Sequence, residues 1–255
     1  MKNIKKIIAV LLAVITVAFA FAACSGGSKD SGTSSDTKTA AAASDYDAVV
    51  KKGKLVVGIT VYEPMDYKDK KTGKWTGFDA DLATAVAQKM GVDVEFITIN
   101  WDSRFTELKS GTIDCIWNGM TIDDSVKANC SLSKPYATNS QVVVMKKDKL
   151  DKYKDTASMK DLAFAVEKGS AGEKEAKKIS SNVLSVDAQA DAIKEVKAGT
   201  SDACIIDSTM ANSLTADGKD FDDLGYKVSL TTEEYGIGFR QDSDCLLYTS
   251  DAADE

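Results

Sequence analysis

Two aromatic rings, two runs of small polar residues and one carboxylate carry the chemistry available to this chain. Tyr62 and Trp101 offer flat faces that can sandwich the body of a small molecule. In the run Asn118-Gly119-Met120-Thr121, Asn118 offers an amide, Gly119 a bare backbone N–H and Thr121 a hydroxyl. Ser170, Ala171 and Gly172 form a second small-residue loop, and a helix expected from Glu173 would aim N–H groups at a carboxylate there. Asp207 can hold an ammonium group. The set suits noncovalent capture of a small polar molecule carrying both charges. Each member also has a plainer use. Tyr62 and Trp101 serve equally as core aromatics, the Gly169 to Gly172 loop as an ordinary turn, and Asp207 as the cap of a helix starting at Ser208.

The same inventory limits covalent chemistry. The chain has no histidine, which removes Ser-His-Asp and Cys-His catalysis and the commonest metal ligand. Acid–base work by Asp or Glu stays open, but no catalytic residue is assigned. Cys115, Cys130 and Cys204 show no Cys-x-x-Cys spacing, so neither a metal nor any other cofactor is expected. They fit either one disulfide with a thiol left over or three small buried apolar side chains. The formal charge of −7 disfavours nucleic acid and anionic lipid as electrostatic partners.

Alternating strand and helix patterns must position these residues. Leu55 to Ile59, Val92 to Ile99 and Ile113 to Trp117 read as strands. Between them, helices are expected from Asp79, with Leu82, Ala85, Val86, Lys89 and Met90 at helical spacing, and over Ser103 to Lys109, with Phe105 and Leu108 inward. The second half repeats the theme, with strands at Leu162 to Val166 and Ala203 to Ile206 and helices at Glu173 to Ile179 and Ala190 to Ala198. This predicts an α/β fold with a largely parallel sheet. Glu107 to Asp114 and Glu195 to Asp202 agree at five of eight positions, each a helix end, a glycine stop and a strand start, which points to two similar lobes. Gln141 to Met145 and a return through Tyr235 to Arg240 are expected to join the lobes as two hinge strands, the C-terminal segment completing the first lobe. Open α/β sheets bind ligands at the carboxyl ends of their strands, so the cleft is expected between the lobes.

The two ends of the chain read differently. Lys2, Lys5 and Lys6, the apolar run Ile7 to Phe21 and the closing Ala22-Ala23-Cys24 have the order of a secretory signal. The run is about 15 residues, short of the about 20 needed to span a bilayer. The small-small-Cys ending resembles a lipobox, so residues 1–23 are expected to be a lipoprotein signal peptide and Cys24 the lipidation site. Residues 24–44 have the composition of a solvated tether. Residues 245–255 resemble translated sequencing-adapter DNA, and the natural C-terminus is expected to be missing. The resulting organisation is lobe 1 at 45–140 and 234–244 and lobe 2 at 141–233.

The ordered motifs Gly58…Tyr62-Glu63-Pro64…Gly77-Phe78-Asp79-Ala80-Asp81-Leu82, Leu108…Gly111-Thr112-Ile113-Asp114, Gly119-Met120-Thr121-Ile122, Ser133-Lys134-Pro135-Tyr136, Lys168-Gly169-Ser170 and Tyr235-Gly236-Ile237-Gly238-Phe239 resemble the family 3 bacterial solute-binding proteins of amino-acid ABC importers. The resemblance implies a two-lobed, periplasmic-binding-protein-like fold of type 2 that closes on a polar amino acid and delivers it to a membrane permease. It further implies a monomer outside the cytoplasmic membrane, held by its lipid. By motif position Tyr62 and Trp101 would flank the ligand, and Asn118, Gly119 and Thr121 would hydrogen-bond it. Ser170, Ala171 and Gly172 would meet its carboxylate, and Asp207 its α-ammonium. One departure stands out: Val126 occupies the place of the family's carboxylate-clamping arginine. Arg104, just after Trp101, is the nearest substitute donor, with a solvated helix-surface arginine as its plainer reading, and Lys127 the next. A sensor lipoprotein without a transporter, and less so a dehydratase of the same fold, are the competing functions.

Overall fold

Leu55, Val56, Val57, Gly58 and Ile59 are all buried, the burial pattern of a strand covered on both faces. In the structure, a computed structural model that describes residues 44–241 and 243, this strand is β1 (Lys54–Ile59), after helix α1 (Asp45–Lys52). Next come β2 (Tyr67–Lys68), β3 (Trp75–Thr76), α2 (Phe78–Lys89), β4 (Asp93–Thr98), α3 (Arg104–Ser110), β5 (Cys115–Ile116), α4 (Asp124–Asn129), β6 (Ser131–Leu132), β7 (Ala137–Asn139) and β8 (Gln141–Lys146). The rest are β9 (Phe164–Glu167), α5 (Ala171–Ile179), β10 (Val183–Val186), α6 (Gln189–Ala198), β11 (Ala203–Asp207), α7 (Ser208–Thr215), β12 (Leu224–Ser229), β13 (Glu233–Tyr235) and β14 (Gly238–Phe239). The signal, Cys24, all but the last residue of the tether, and the tail from Cys245 lie outside the described residues.

Two five-stranded sheets organise the chain. The first runs β4-β1-β5-β14-β6, with β1 parallel to β4 and β5, and β14 antiparallel to β5 and β6. The second runs β10-β9-β11-β8-β12, with β9 parallel to β10 and β11, and β8 antiparallel to β11 and β12. The sheets are therefore mixed, each carrying an antiparallel flank on a parallel core.

The lobes are joined by the antiparallel ribbon of β7 and β13, in register Glu233↔Asn139 to Tyr235↔Ala137. This corrects the expected hinge. Gln141 to Met145, read as a hinge strand, lies inside the second sheet between β11 and β12. Its five buried residues are those of a covered strand; an exposed connector would not bury both faces.

The repeated segments are a shared structural joint. Gly111 and Gly199 both cap their helices in the left-handed region, at φ 78° and 81°. Asp114 then accepts from the Val56 N–H at 2.8 Å, and Asp202 from the Ala163 N–H at 3.0 Å. In each lobe the aspartate staples the incoming strand to its parallel neighbour. Two local expectations change. Helix α2 buries Asp79, Ala80, Ala83, Val86 and Ala87, so its inner stripe is rotated from the predicted one. Helix α5 starts at Ala171 with Ser170 as its cap, the Oγ accepting from the Glu173 N–H at 3.1 Å. Cys115, Cys130 and Cys204 are free and buried, acting as small apolar side chains.

Candidate ligand-binding cleft

The strand ends of both lobes meet at one cleft. From the first lobe it is lined by Trp101, Arg104, Asn118, Gly119 and Thr121, and from the second by Ser170, Ala171 and Asp207. Eight of the ten residues singled out in the sequence thus share one cavity. Tyr62 and Gly172 do not line it. The Tyr62 ring is buried behind the wall, its hydroxyl 2.6 Å from that of Tyr235. Gly172 sits in the first turn of α5, where a Cβ would lie 2.6 Å from the Ile205 carbonyl oxygen.

Several lining groups are committed to the protein. Asn118 accepts from the Thr60 N–H at 2.6 Å and donates to the Thr60 hydroxyl at 3.0 Å, so its amide anchors the end of β1. The Gly119 N–H donates to Asp79 Oδ2 at 2.6 Å. Thr121 donates its hydroxyl to Glu233 Oε1 at 2.8 Å. At the start of α5, Glu173 Oε2 accepts from the Gly169 N–H at 3.0 Å. That carboxylate already faces the helix's positive end, leaving less of it for a ligand anion.

Arg104 is 5% exposed, which corrects the reading of a solvated helix-surface residue. Its guanidinium lies 4.6 Å from the Trp101 ring centre and 4.3 Å from that of Phe105, and Nη1 donates to the Trp101 carbonyl at 2.6 Å. Its Nε has no hydrogen-bond partner. Burial pulls its pKa below the usual arginine value, while Asp123 and Glu167 pull it back; a guanidinium remains a cation here. Val126 is 2% exposed and lines the same space from α4.

Across the cleft, Asp207 is 3% exposed. Its side chain makes no cap bond to α7, so the helix-cap reading is set aside. Oδ1 accepts from Asn139 Nδ2 at 2.8 Å and from Gln141 Nε2, and Oδ2 from Gln189 Nε2 at 2.6 Å. Burial and the Glu233 charge push its pKa up to about 6, against the pull of the two glutamine amides. Glu233, on the hinge strand β13, accepts from Thr121, Asn139 and Gln141 at 2.8, 2.8 and 2.7 Å, tying both walls to the hinge.

Sequence reasoning missed Glu167, Gln141, Gln189 and Asp123, all of which line the cleft. Glu167 was accessible to the strand-end rule, as the last residue of β9. Gln141 was hidden because β8 is antiparallel to β11: its first residue lies beside the last of β11, in register Asp207↔Gln141. Two ion pairs cross the mouth, Lys168–Asp102 at 2.9 Å and Lys174–Asp123. The arrangement is a closed, polar cleft with a buried cation on one wall and a buried carboxylate on the other.

Residues 55–247 match the family described as bacterial extracellular solute-binding proteins, family 3. The chain is 34% identical over 203 residues to the L-cystine-binding protein TcyA of Bacillus subtilis, covering 78% of this chain and 72% of that one. It is 31% identical over 242 residues to the glutamine-binding protein of Geobacillus stearothermophilus, covering 89% of each. Among solved structures, a Gly52Ala mutant of arginine-bound ArgBP from T. maritima matches with a TM-score of 0.76 at 30% identity, over 82% of this chain and 97% of that one. The ancestral amino acid-binding protein AncCDT-1, a precursor of cyclohexadienyl dehydratase, matches with a TM-score of 0.76 at 34% identity, over 82% and 92%.

Proposed function

The chain belongs to the bacterial extracellular solute-binding proteins of family 3, and from that premise we propose that it captures a polar amino acid between its lobes and delivers it to the permease of an ABC importer. The observation that carries this reading is the pair of buried, opposite charges, Arg104 and Asp207, on facing walls of one cleft. A zwitterion satisfies both: its carboxylate against the guanidinium, in the geometry that pairs them best, and its α-ammonium against Asp207. Trp101 supplies an apolar face beside the guanidinium. Thr121, Gly119 and Asn118 shape the near wall, and Ser170 and Ala171 the far one.

Capture would proceed by rotation about the β7–β13 ribbon, a hinge closure. Glu233, bonded to Thr121 on one side and Gln141 on the other, registers the closed state at the hinge. Lys168–Asp102 and Lys174–Asp123 hold the mouth. The permease would then read the closed form. On this reading the protein works as a monomer outside the cytoplasmic membrane, tethered through a lipid on Cys24.

A non-catalytic role is supported by the named relatives, which are binding proteins. A second reading, a dehydratase, draws on the likeness to AncCDT-1 and on a buried acid in the cleft, Glu167. A thermal-shift screen over amino acids, opines, cystine and polyamines tests the leading reading. A ligand at about 100 times its Kd stabilises by about 2.7 kcal/mol through mass action. Recovery of the same ligand unchanged separates binder from enzyme. A screen in which no amino acid raises Tm would overturn the proposal.

A further inference from the structure

Glu167 is the group in the cleft that a plain zwitterion leaves unexplained. It ends β9 beside β11, whose last residue is Asp207, and it is 3% exposed. Its Oε1 has no hydrogen-bond partner, yet it lines the cleft with Arg104 and Asp207. A buried carboxylate oxygen without a donor is costly unless something arrives to pair with it.

The charges in the cleft give the sign of what arrives. Asp123 is paired with Lys174. That leaves one cation, Arg104, facing two carboxylates, Glu167 and Asp207, with Glu233 behind them. A neutral zwitterion would cancel Arg104 and one acid and leave the other unpaired. A ligand with a second cationic group closes the balance.

Resting on the amino-acid reading of the same site, we infer that the ligand is a dibasic amino acid whose side-chain cation is seated on Glu167, while its α-ammonium meets Asp207 and its carboxylate meets Arg104. Asp207 already accepts three amide donors, so Glu167 Oε1 is the freer acceptor. Burial and the Asp207 charge push the Glu167 pKa well up, with Arg104 and a backbone amide of Gln189 pulling it back and Asp191 adding to the rise. An incoming ammonium or guanidinium would stabilise the ionised form, so binding would release a proton.

The test is isothermal calorimetry of the purified full chain with L-arginine, L-lysine, L-ornithine, L-glutamine, L-cystine and L-norleucine, in two buffers of different ionisation enthalpy. The expected result is tighter binding of at least one dibasic amino acid than of any neutral one, with buffer-dependent heat that reports proton release. Glu167→Gln should weaken that dibasic ligand by at least about 30-fold, the loss expected when one partner of a buried charge pair is removed. The same variant should narrow the preference for that dibasic ligand over glutamine, which a merely structural role for Glu167, weakening both alike, would not do. Tighter binding of glutamine, cystine or norleucine than of every dibasic ligand would overturn this inference alone. So would equal affinity of wild type and Glu167→Gln for the dibasic ligand. Failure of all six ligands to bind would instead overturn the amino-acid reading beneath it.

Discussion

Arg104 and Val126 face the same cavity from two different helices, one carrying the only buried arginine among the described residues and the other a buried apolar side chain. The guanidinium sits on α3, where Trp101 and Phe105 hold it.

That relationship predicts the outcome of a swap. Val126→Arg alone places a second cation beside the buried Arg104, and ligand affinity should fall. Arg104→Leu alone removes the carboxylate's partner and should cost about 2–5 kcal/mol of binding. The double variant restores one cation and should bind better than either single one. Calorimetry with the best ligand of the screen decides it; a double variant no better than the worse single would show that the two positions do not exchange roles.

Stability should fall as pH rises. Asp66 is fully buried, and burial together with the neighbouring Asp79 pushes its pKa up to about 9. Asp79 is raised by burial to about 6 despite donors from Gly119 and Tyr136. In the unfolded chain both would titrate near about 3.9. The folded state therefore binds these protons more tightly, and the stability this brings is complete below about pH 4 and lost as pH rises through about 9. Differential scanning fluorimetry should show Tm of the ligand-free protein declining from about pH 5 to about pH 9. Asp66→Asn should flatten the upper part and raise Tm at about pH 8, where each kcal/mol is worth about 2–4 °C for a chain of this size. A wild-type Tm that climbs over the same range would refute this account.

Lys168 and Lys174 bridge to Asp102 and Asp123 across the mouth of the cleft. Both lysines are solvated, so each pair is weak and screened by salt. Lys168→Ala with Lys174→Ala should weaken ligand binding by less than about tenfold. The loss should lie in faster dissociation and shrink as salt is raised. Stopped-flow release measured at low and high salt checks it; an unchanged off-rate at low salt would remove these pairs from the closing step.

Much of this architecture was readable in the chain because its signals are local. The run Leu55 to Ile59 reads as a covered strand, and the paired glycines Gly111 and Gly199 each take the left-handed backbone that ends a helix. What escaped depends on partners distant in sequence. The hinge was misplaced because β7 and β13 are three residues each, too short to show a strand's alternation in the sequence, whereas the neighbouring β8 is conspicuous. Glu167 escaped because a charged residue ending an apolar strand reads as solvent-facing until a second lobe covers it. Arg104 was singled out as a donor, but not its burial: helical spacing alone does not show that Trp101 and Phe105 wall it in.

Gly119 tests where the Tyr62 ring sits. Its φ is +54°, and a Cβ there would lie 2.4 Å from Tyr62 Cε1 and 3.2 Å from Tyr235 Cε2. The tyrosine cannot easily withdraw, because its hydroxyl is bonded to that of Tyr235 and its ring is 1% exposed. Gly119→Ala should therefore combine the left-handed penalty with overpacking, about 2–5 kcal/mol in all. Gly111→Ala is the matched control: its φ is +78°, but a Cβ there meets nothing within 4 Å, so only the backbone term of about 1–2 kcal/mol applies. Urea denaturation of the two variants should separate them, and adding Tyr62→Leu to Gly119→Ala should recover part of the difference. Equal losses for both alanines would mean that the ring does not stand behind this loop.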